Sequence, residues 1–159
     1  MIDGGIKMIL RGAVLIFLLV SSASYPQGNR SQRVPPFLYG GWTIARFVEV
    51  GGHGAQTKER AQAEIGKTLR ISVQSFKHDP KFLWFDDRCK NVRYRMQETG
   101  GEEGSLGFYG LEQEGSGQFL VVSCGNRDMY FFEVAKNQEL AVYYDGWFFF
   151  LQRTKGTPD

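Results

Sequence analysis

The 159-residue sequence predicts a mainly β fold, an antiparallel up-and-down barrel of about eight strands with one short helix between the first and second. Three observations predict it. From residue 37 onward, short runs alternate apolar and polar side chains with the period of two that a half-buried strand requires. These runs are separated by short turn-forming clusters of Gly, Asn and Asp, which suit antiparallel neighbours. A single stretch, residues 57–66, carries helix signals instead. Closing such a meander into a barrel removes the exposed edges of an open sheet.

The first strand is predicted over residues 42–50, with Trp42, Ile44, Val48 and Val50 on one side. Arg46 interrupts that side, and Phe47 falls on the other. Thr57 can cap a helix over residues 58–65 that Gly66 ends, with Ala61 and Ile65 four apart and able to touch the body of the fold. Residues 68–74 put Leu69, Ile71 and Val73 on one face, and residues 92–97 repeat the pattern. Residues 82–85 and 106–111 are weaker strand candidates, the second lying between glycine pairs. Four strands follow at residues 119–124, 129–134, 139–144 and 147–153, joined by short connections. The last connection, Asp145-Gly146, is a strong two-residue hairpin signal, because both positions must tolerate positive φ. The final strand is apolar on both faces: Trp147, Phe149 and Leu151 on one, Phe148 and Phe150 on the other. A strand facing water on one side does not look like this. Its outer face is expected either to lie under the helix and linker or to form a contact patch.

Residues 1–24 read as a secretory signal peptide. Lys7 and Arg11 supply a positive flank, residues 13–20 an apolar run, and residues 21–24 a small-residue exit. The apolar run is shorter than the about 20 residues that a spanning helix needs. Cleavage after Ala23 and after Ser24 fit equally well. Residues 25–36 are polar and Pro-rich and read as a linker, residues 37–153 as one barrel domain, and residues 154–159 as a tail. The expected location is exported, periplasmic or secreted, with no transmembrane span in the mature form. The whole chain carries 19 basic and 17 acidic residues. Removing the signal takes away Lys7, Arg11 and Asp3 and leaves the remainder nearly neutral. That balance excludes a strongly basic nucleic-acid binder and an acidic solvating tail.

An oxidising compartment turns paired thiols into disulfides. Cys89 and Cys124 are the two cysteines of the chain, so they are expected to pair as a structural bond. Nothing around either matches a nucleophile motif. His53 and His78 lie too far apart for a metal spacing, and the acids Asp79, Asp86 and Asp87 near His78 read as a turn. Glu102 and Glu103 sit among glycines and read as a mobile hairpin tip rather than an acid–base pair. No catalytic residue, metal or cofactor is therefore assigned, and the chain is read as a non-enzyme.

Gly40-x-Trp42 opens the first strand, and Arg153 ends the last. Together they resemble the Gly-x-Trp and the C-terminal basic residue of lipocalins and other calycins, in which the basic side chain packs across the tryptophan. The helical insertion falls where lipocalins carry the long first loop that lids the barrel. Two features depart from that pattern: no Thr-Asp-x-Tyr stands mid-chain, and no helix-length segment follows Arg153. The resemblance implies an extracytoplasmic binding protein with an apolar interior. Trp42, Tyr94, Phe132 and Trp147 are the interior residues expected to meet a ligand, and Cys89, Cys124 and Arg153 are expected to be structural. The expected function is to hold a small apolar or amphipathic ligand. The alternative is a protein–protein module, such as an inhibitor of an exported hydrolase, that acts through loops at one barrel end.

Overall fold

The structure, a computed structural model, describes residues 33–51, 54–85, 89–98 and 101–154. The expected signal peptide, most of the linker, His53, Asp86 and Asp87 lie outside the described residues.

Eight antiparallel strands form one strongly curled sheet, a half-barrel. They are β1 (Gly40–Glu49), β2 (Thr68–Ile71), β3 (Phe76–His78), β4 (Val92–Glu98), β5 (Gly115–Cys124), β6 (Arg127–Ala135), β7 (Leu140–Tyr144) and β8 (Trp147–Arg153). The order across the sheet is β3-β2-β1-β8-β7-β6-β5-β4. Every strand therefore pairs with its sequence neighbour except at the β3–β4 junction, and β8 pairs with β1 as an up-and-down barrel requires. The β3–β4 seam is bridged by side chains instead. The Tyr94 hydroxyl on β4 donates to the Ser75 carbonyl at 2.7 Å, and the Tyr94 ring meets Tyr39 edge-on at 6.2 Å. Helix α1 (Lys58–Gln62) lies between β1 and β2, and the Thr57 hydroxyl caps it by accepting the Arg60 N–H. Ala61 is fully buried and Ile65 packs on the core, as the spacing predicts.

The concave face holds the main core, which includes Trp42, Ile44, Leu69, Ile71, Phe132 and Leu151. Asp145 and Gly146 have φ of 50° and 89°, the double positive φ expected of a tight hairpin turn. The Asp145 carboxylate also accepts the Ala55 N–H at 2.9 Å, and Trp147 Nε1 donates to the Gln56 carbonyl at 3.1 Å. Both bonds dock the segment before α1 onto the β7–β8 turn.

Several expectations are corrected. Residues 82–85 are not a strand but successive turns, with Lys81 and Leu83 at positive φ; Phe82 and Phe85 still bury in the core, where Phe85 lies 4.1 Å from the Tyr130 ring. The strand before them is β3, which hydrogen-bonds along β2. Val73 is 71% exposed, because β2 ends at Ile71 and Ser72 and Ser75 close a turn on each other. A β-bulge between Ile44 and Arg46 shifts the β1 periodicity by one residue. Phe47 therefore joins Trp42 and Ile44 inside, while Arg46, Val48 and Val50 turn outward.

A further correction concerns residues 106–111. They form turns, with Leu111 donating to the Leu106 carbonyl, and they lie as a cover over the outside of β7 and β8. Leu106, Tyr109 and Leu111 pack there on Ala141, Phe148 and Phe150. This segment, rather than α1, accounts for a last strand that is apolar on both faces. Ile65 packs on the main core instead.

An ionic cluster sits at the margin of this cover. Arg46 contacts Glu114 at 2.6 Å and Glu139 at 2.8 Å, with its guanidinium 3.5 Å above the Phe150 ring. Gln152 donates to the second oxygen of Glu139. Burial pushes Glu139 upward, but hydrogen bonds from Asn137, Gln152 and Arg46 together hold it below the usual carboxylate range. Arg46→Ala should cost about 1–3 kcal/mol, because it leaves a buried carboxylate under-satisfied. Denaturant unfolding checks this, and the loss should grow as pH rises through the carboxylate range, since only ionised Glu139 misses its cation.

Candidate functional site

The four predicted interior residues all lie on the concave side, and their polar atoms are engaged by the protein itself. Trp42 is fully buried, and its Nε1 donates to the Leu38 carbonyl at 3.1 Å. Phe132 is fully buried and Trp147 nearly so. Tyr94 is half-buried on the β3–β4 seam, where burial pushes its hydroxyl well above the ordinary tyrosine range. Arg153 pairs in register with Trp42, and its guanidinium lies 5.5 Å from the indole centroid while donating to the Tyr39 carbonyl. Gly40 has φ of 129°, and a Cβ there would collide with that guanidinium. The Gly-x-Trp spacing thus has a local physical cause: the glycine makes room for the arginine that covers the tryptophan.

Cys89 and Cys124 form a disulfide with Cα atoms 5.0 Å apart, joining the end of β5 to the segment before β4. His78 lies on β3, with Nδ1 2.9 Å from the Asp79 carbonyl oxygen. The Asp79 carboxylate accepts both the N–H and the hydroxyl of Thr68, so it clamps β3 to β2 rather than facing solvent. Among the described residues no group of three or more His, Cys, Asp or Glu converges as a metal site. Nor is any helix among them long and apolar enough to cross a membrane.

A site that the periodicity did not single out lies on the convex side. Backbone pairing between β6 and β7 is confined to Glu133 with Ala141 and Val134 with Leu140. The next outward residues, Phe131 and Tyr143, do not pair. There the wall holds a groove of about 310 Å³, lined by Trp84, Phe119, Phe131 and Tyr143, with Glu102, Glu103 and Gly104 also at it. Trp84 arrives from the turns after β3 and stacks on Tyr144 at 4.6 Å, while Tyr143 stacks on Tyr109 of the cover at 4.9 Å. Phe119 and Phe131 meet edge-on at 6.3 Å. Trp84 is 42% exposed and Phe131 43%, so two aromatic surfaces face the groove and water.

Glu102 and Glu103 are exposed and lie in the connection between β4 and β5, at a turn closed on Ser105. Ser105 donates through both its N–H and its hydroxyl to the Glu102 carbonyl. The neighbouring Glu133 is buried and accepts the Leu106 N–H at 2.6 Å, which anchors the cover to β6. Burial pushes the Glu133 carboxyl up against the hydrogen bonds from Leu106 and Gly117, and the charge of Glu102 adds to the rise. One signal in the sequence does point here. Met129 and Phe131 are apolar at the outward positions of a strand whose inward positions, Tyr130, Phe132 and Val134, are apolar too.

Comparison of the chain with protein-family models, with curated proteins and with solved structures returns no match.

Proposed function

We propose that this chain is an exported, non-catalytic binding protein that holds a small ligand with an apolar body in the groove between β6 and β7. The lipocalin-like reading supports a ligand-holding barrel, and the half-barrel architecture is compatible with it. The signal-like residues 1–24 support export, and the formed disulfide fits an oxidising compartment. The single observation that carries the reading is the groove itself. Its size falls within the roughly 300–1,000 Å³ of small-molecule sites, and four aromatic side chains line it. The inner face is occupied by large side chains whose polar ends are already bonded, so the groove is the better seat for a ligand than the interior.

The test is titration with N-phenyl-1-naphthylamine, an uncharged dye that brightens in apolar surroundings. Saturable binding is expected, and Trp84→Ala should weaken it about tenfold through loss of one aromatic contact. Phe108→Ala, which alters an exposed ring not among the groove residues, should leave it unchanged. Dye binding that ignores Trp84 would place the ligand elsewhere.

One observation favours the second reading, an inhibitor of an exported hydrolase. Phe108 is 56% exposed on the cover segment, whose flanks are fixed by Leu106 and Leu111. An inhibitor acting through that segment would lose activity with Phe108→Ala and keep it with Trp84→Ala.

A further inference from the structure

We propose that Glu133 is a proton-operated latch, which fastens the cover of residues 106–111 to the outer wall most firmly when protonated and loosens it when ionised. Glu133 stands outward on β6, in register with Phe119 of β5 on one side and Ala141 of β7 on the other. It is only 2% exposed. Its carboxylate accepts the Leu106 N–H at 2.6 Å and a second N–H from Gly117 of β5. It also lies so close to Gly115 that a Cβ there would collide with it. The cover is therefore tied to the wall by this carboxylate where it begins, and from there Leu106, Tyr109 and Leu111 pack over Ala141, Phe148 and Phe150. The latch stands whatever the groove beside it holds.

The contrast with Glu139 shows why this carboxylate responds to protons. Both are buried, but Glu139 meets the Arg46 guanidinium, whereas none of the ion pairs among the described residues includes Glu133. An ionised carboxylate taken out of water without a cation is costly, so the docked form holds a proton more tightly than the exposed form. The surrounding elements do not offset this. Gly115, Gly117 and Phe119 of β5 and Ala141 of β7 carry no ionisable group. From the cover side Glu102 adds negative charge, while Glu103 acts on Tyr109 and Glu114 on Arg46. Arg46 lies beyond Ala141 and Phe150 in the same outward row, and Lys136 reaches the Glu112 carbonyl instead. Burial and Glu102 outweigh the two N–H bonds, so docked Glu133 ionises above the ordinary glutamate range. With the cover lifted it meets water and titrates near that range, about 4.3. Docking thus takes up a proton: it is strongest below the ordinary range and weakens as pH climbs from there through the raised one. The Arg46 cluster has the opposite sign, because Glu139 is held below the ordinary range. A cover that loosens with rising pH is therefore not its doing.

The experiment is amide hydrogen exchange, followed by NMR on the folded protein between about pH 4 and about pH 8, with each rate divided by that of an unstructured amide at the same pH. Protection of the Leu106 and Leu111 amides should fall at least about threefold from the acid to the neutral end, while the β5–β6 ladder keeps its protection. Glu133→Gln keeps an acceptor of the same size but cannot ionise, so it should hold cover protection flat across the range. Glu133→Ala should lower it at every pH with the ladder intact. If Glu133→Gln does not fold, the carboxyl carbon shift of Glu133 in the unsubstituted protein serves in its place, and it should titrate above the ordinary glutamate range together with the loss of protection. Cover protection that stays constant or rises with pH in the unsubstituted protein overturns the latch. So does a fall that persists unchanged in Glu133→Gln, or a Glu133 that titrates in the ordinary range.

Discussion

Trp42→Ala should unfold the domain or bring it to the edge of unfolding. The indole is fully buried at the start of β1, donates to the Leu38 carbonyl, and lies under the Arg153 guanidinium at 5.5 Å. Truncating a buried tryptophan removes its transfer free energy and leaves a cavity, at a cost of about 3–5 kcal/mol. The lost bond also strands the Leu38 carbonyl in a buried place. Whole domains are stable by only about 5–15 kcal/mol, so this one change removes a large share. Thermal melting followed by circular dichroism should show a fall of roughly 10–25 °C, or no cooperative transition at all. Arg153→Ala should cost much less, about 0.5–1 kcal/mol, because the guanidinium is exposed and its cation–π contact is only partly desolvated. The unequal effect is the diagnostic result. A mild Trp42→Ala and a severe Arg153→Ala would mean that this end of the barrel is held by the arginine's bond to Tyr39 rather than by tryptophan burial.

Removing the Cys89–Cys124 bond should have the next largest effect. The bond joins positions 35 apart. Closing a loop of that size restricts the unfolded chain and stabilises the fold by about 3–4 kcal/mol in the chain-entropy model. Its position adds to the effect. It ties the start of β4, at one open end of the sheet, to β5, and no backbone ladder joins β4 to β3. Paired Cys89→Ser and Cys124→Ser substitutions should lower the urea midpoint substantially. Amide exchange should rise first in β4, because β5 keeps its ladder with β6. An unchanged midpoint, or free thiols at both positions in protein recovered from an oxidising compartment, would contradict the expectation.

Trp84 and Phe131 show how a site can hide from periodicity. Phe131 stands at an outward position of β6, which is legible as an excess apolar residue, but nothing local says that β7 parts from β6 beside it. Trp84 lies in a run that alternation reads as a strand, whereas the positive φ at Lys81 and Leu83 turns it into a plug. Both depend on contacts between segments far apart in the chain.

By itself the sequence determined the antiparallel order, the β7–β8 turn, the capped helix and the disulfide pair, while its total of about eight strands came out because residues 106–111 stood in for the short β3. Each follows from short-range rules of period, turn chemistry and capping, or from having only two cysteines to join, whereas the meeting of Trp42 with Arg153 was what the lipocalin resemblance implied. The tertiary structure alone decided which face Phe47 and Val48 take, because one bulged residue at Ala45 inverts every side chain after it. It also decided that residues 106–111 cover the outer wall instead of adding a strand to it. Apolar side chains bury wherever an apolar surface is left open, and here that surface was made by Phe148 and Phe150, roughly forty residues further along the chain.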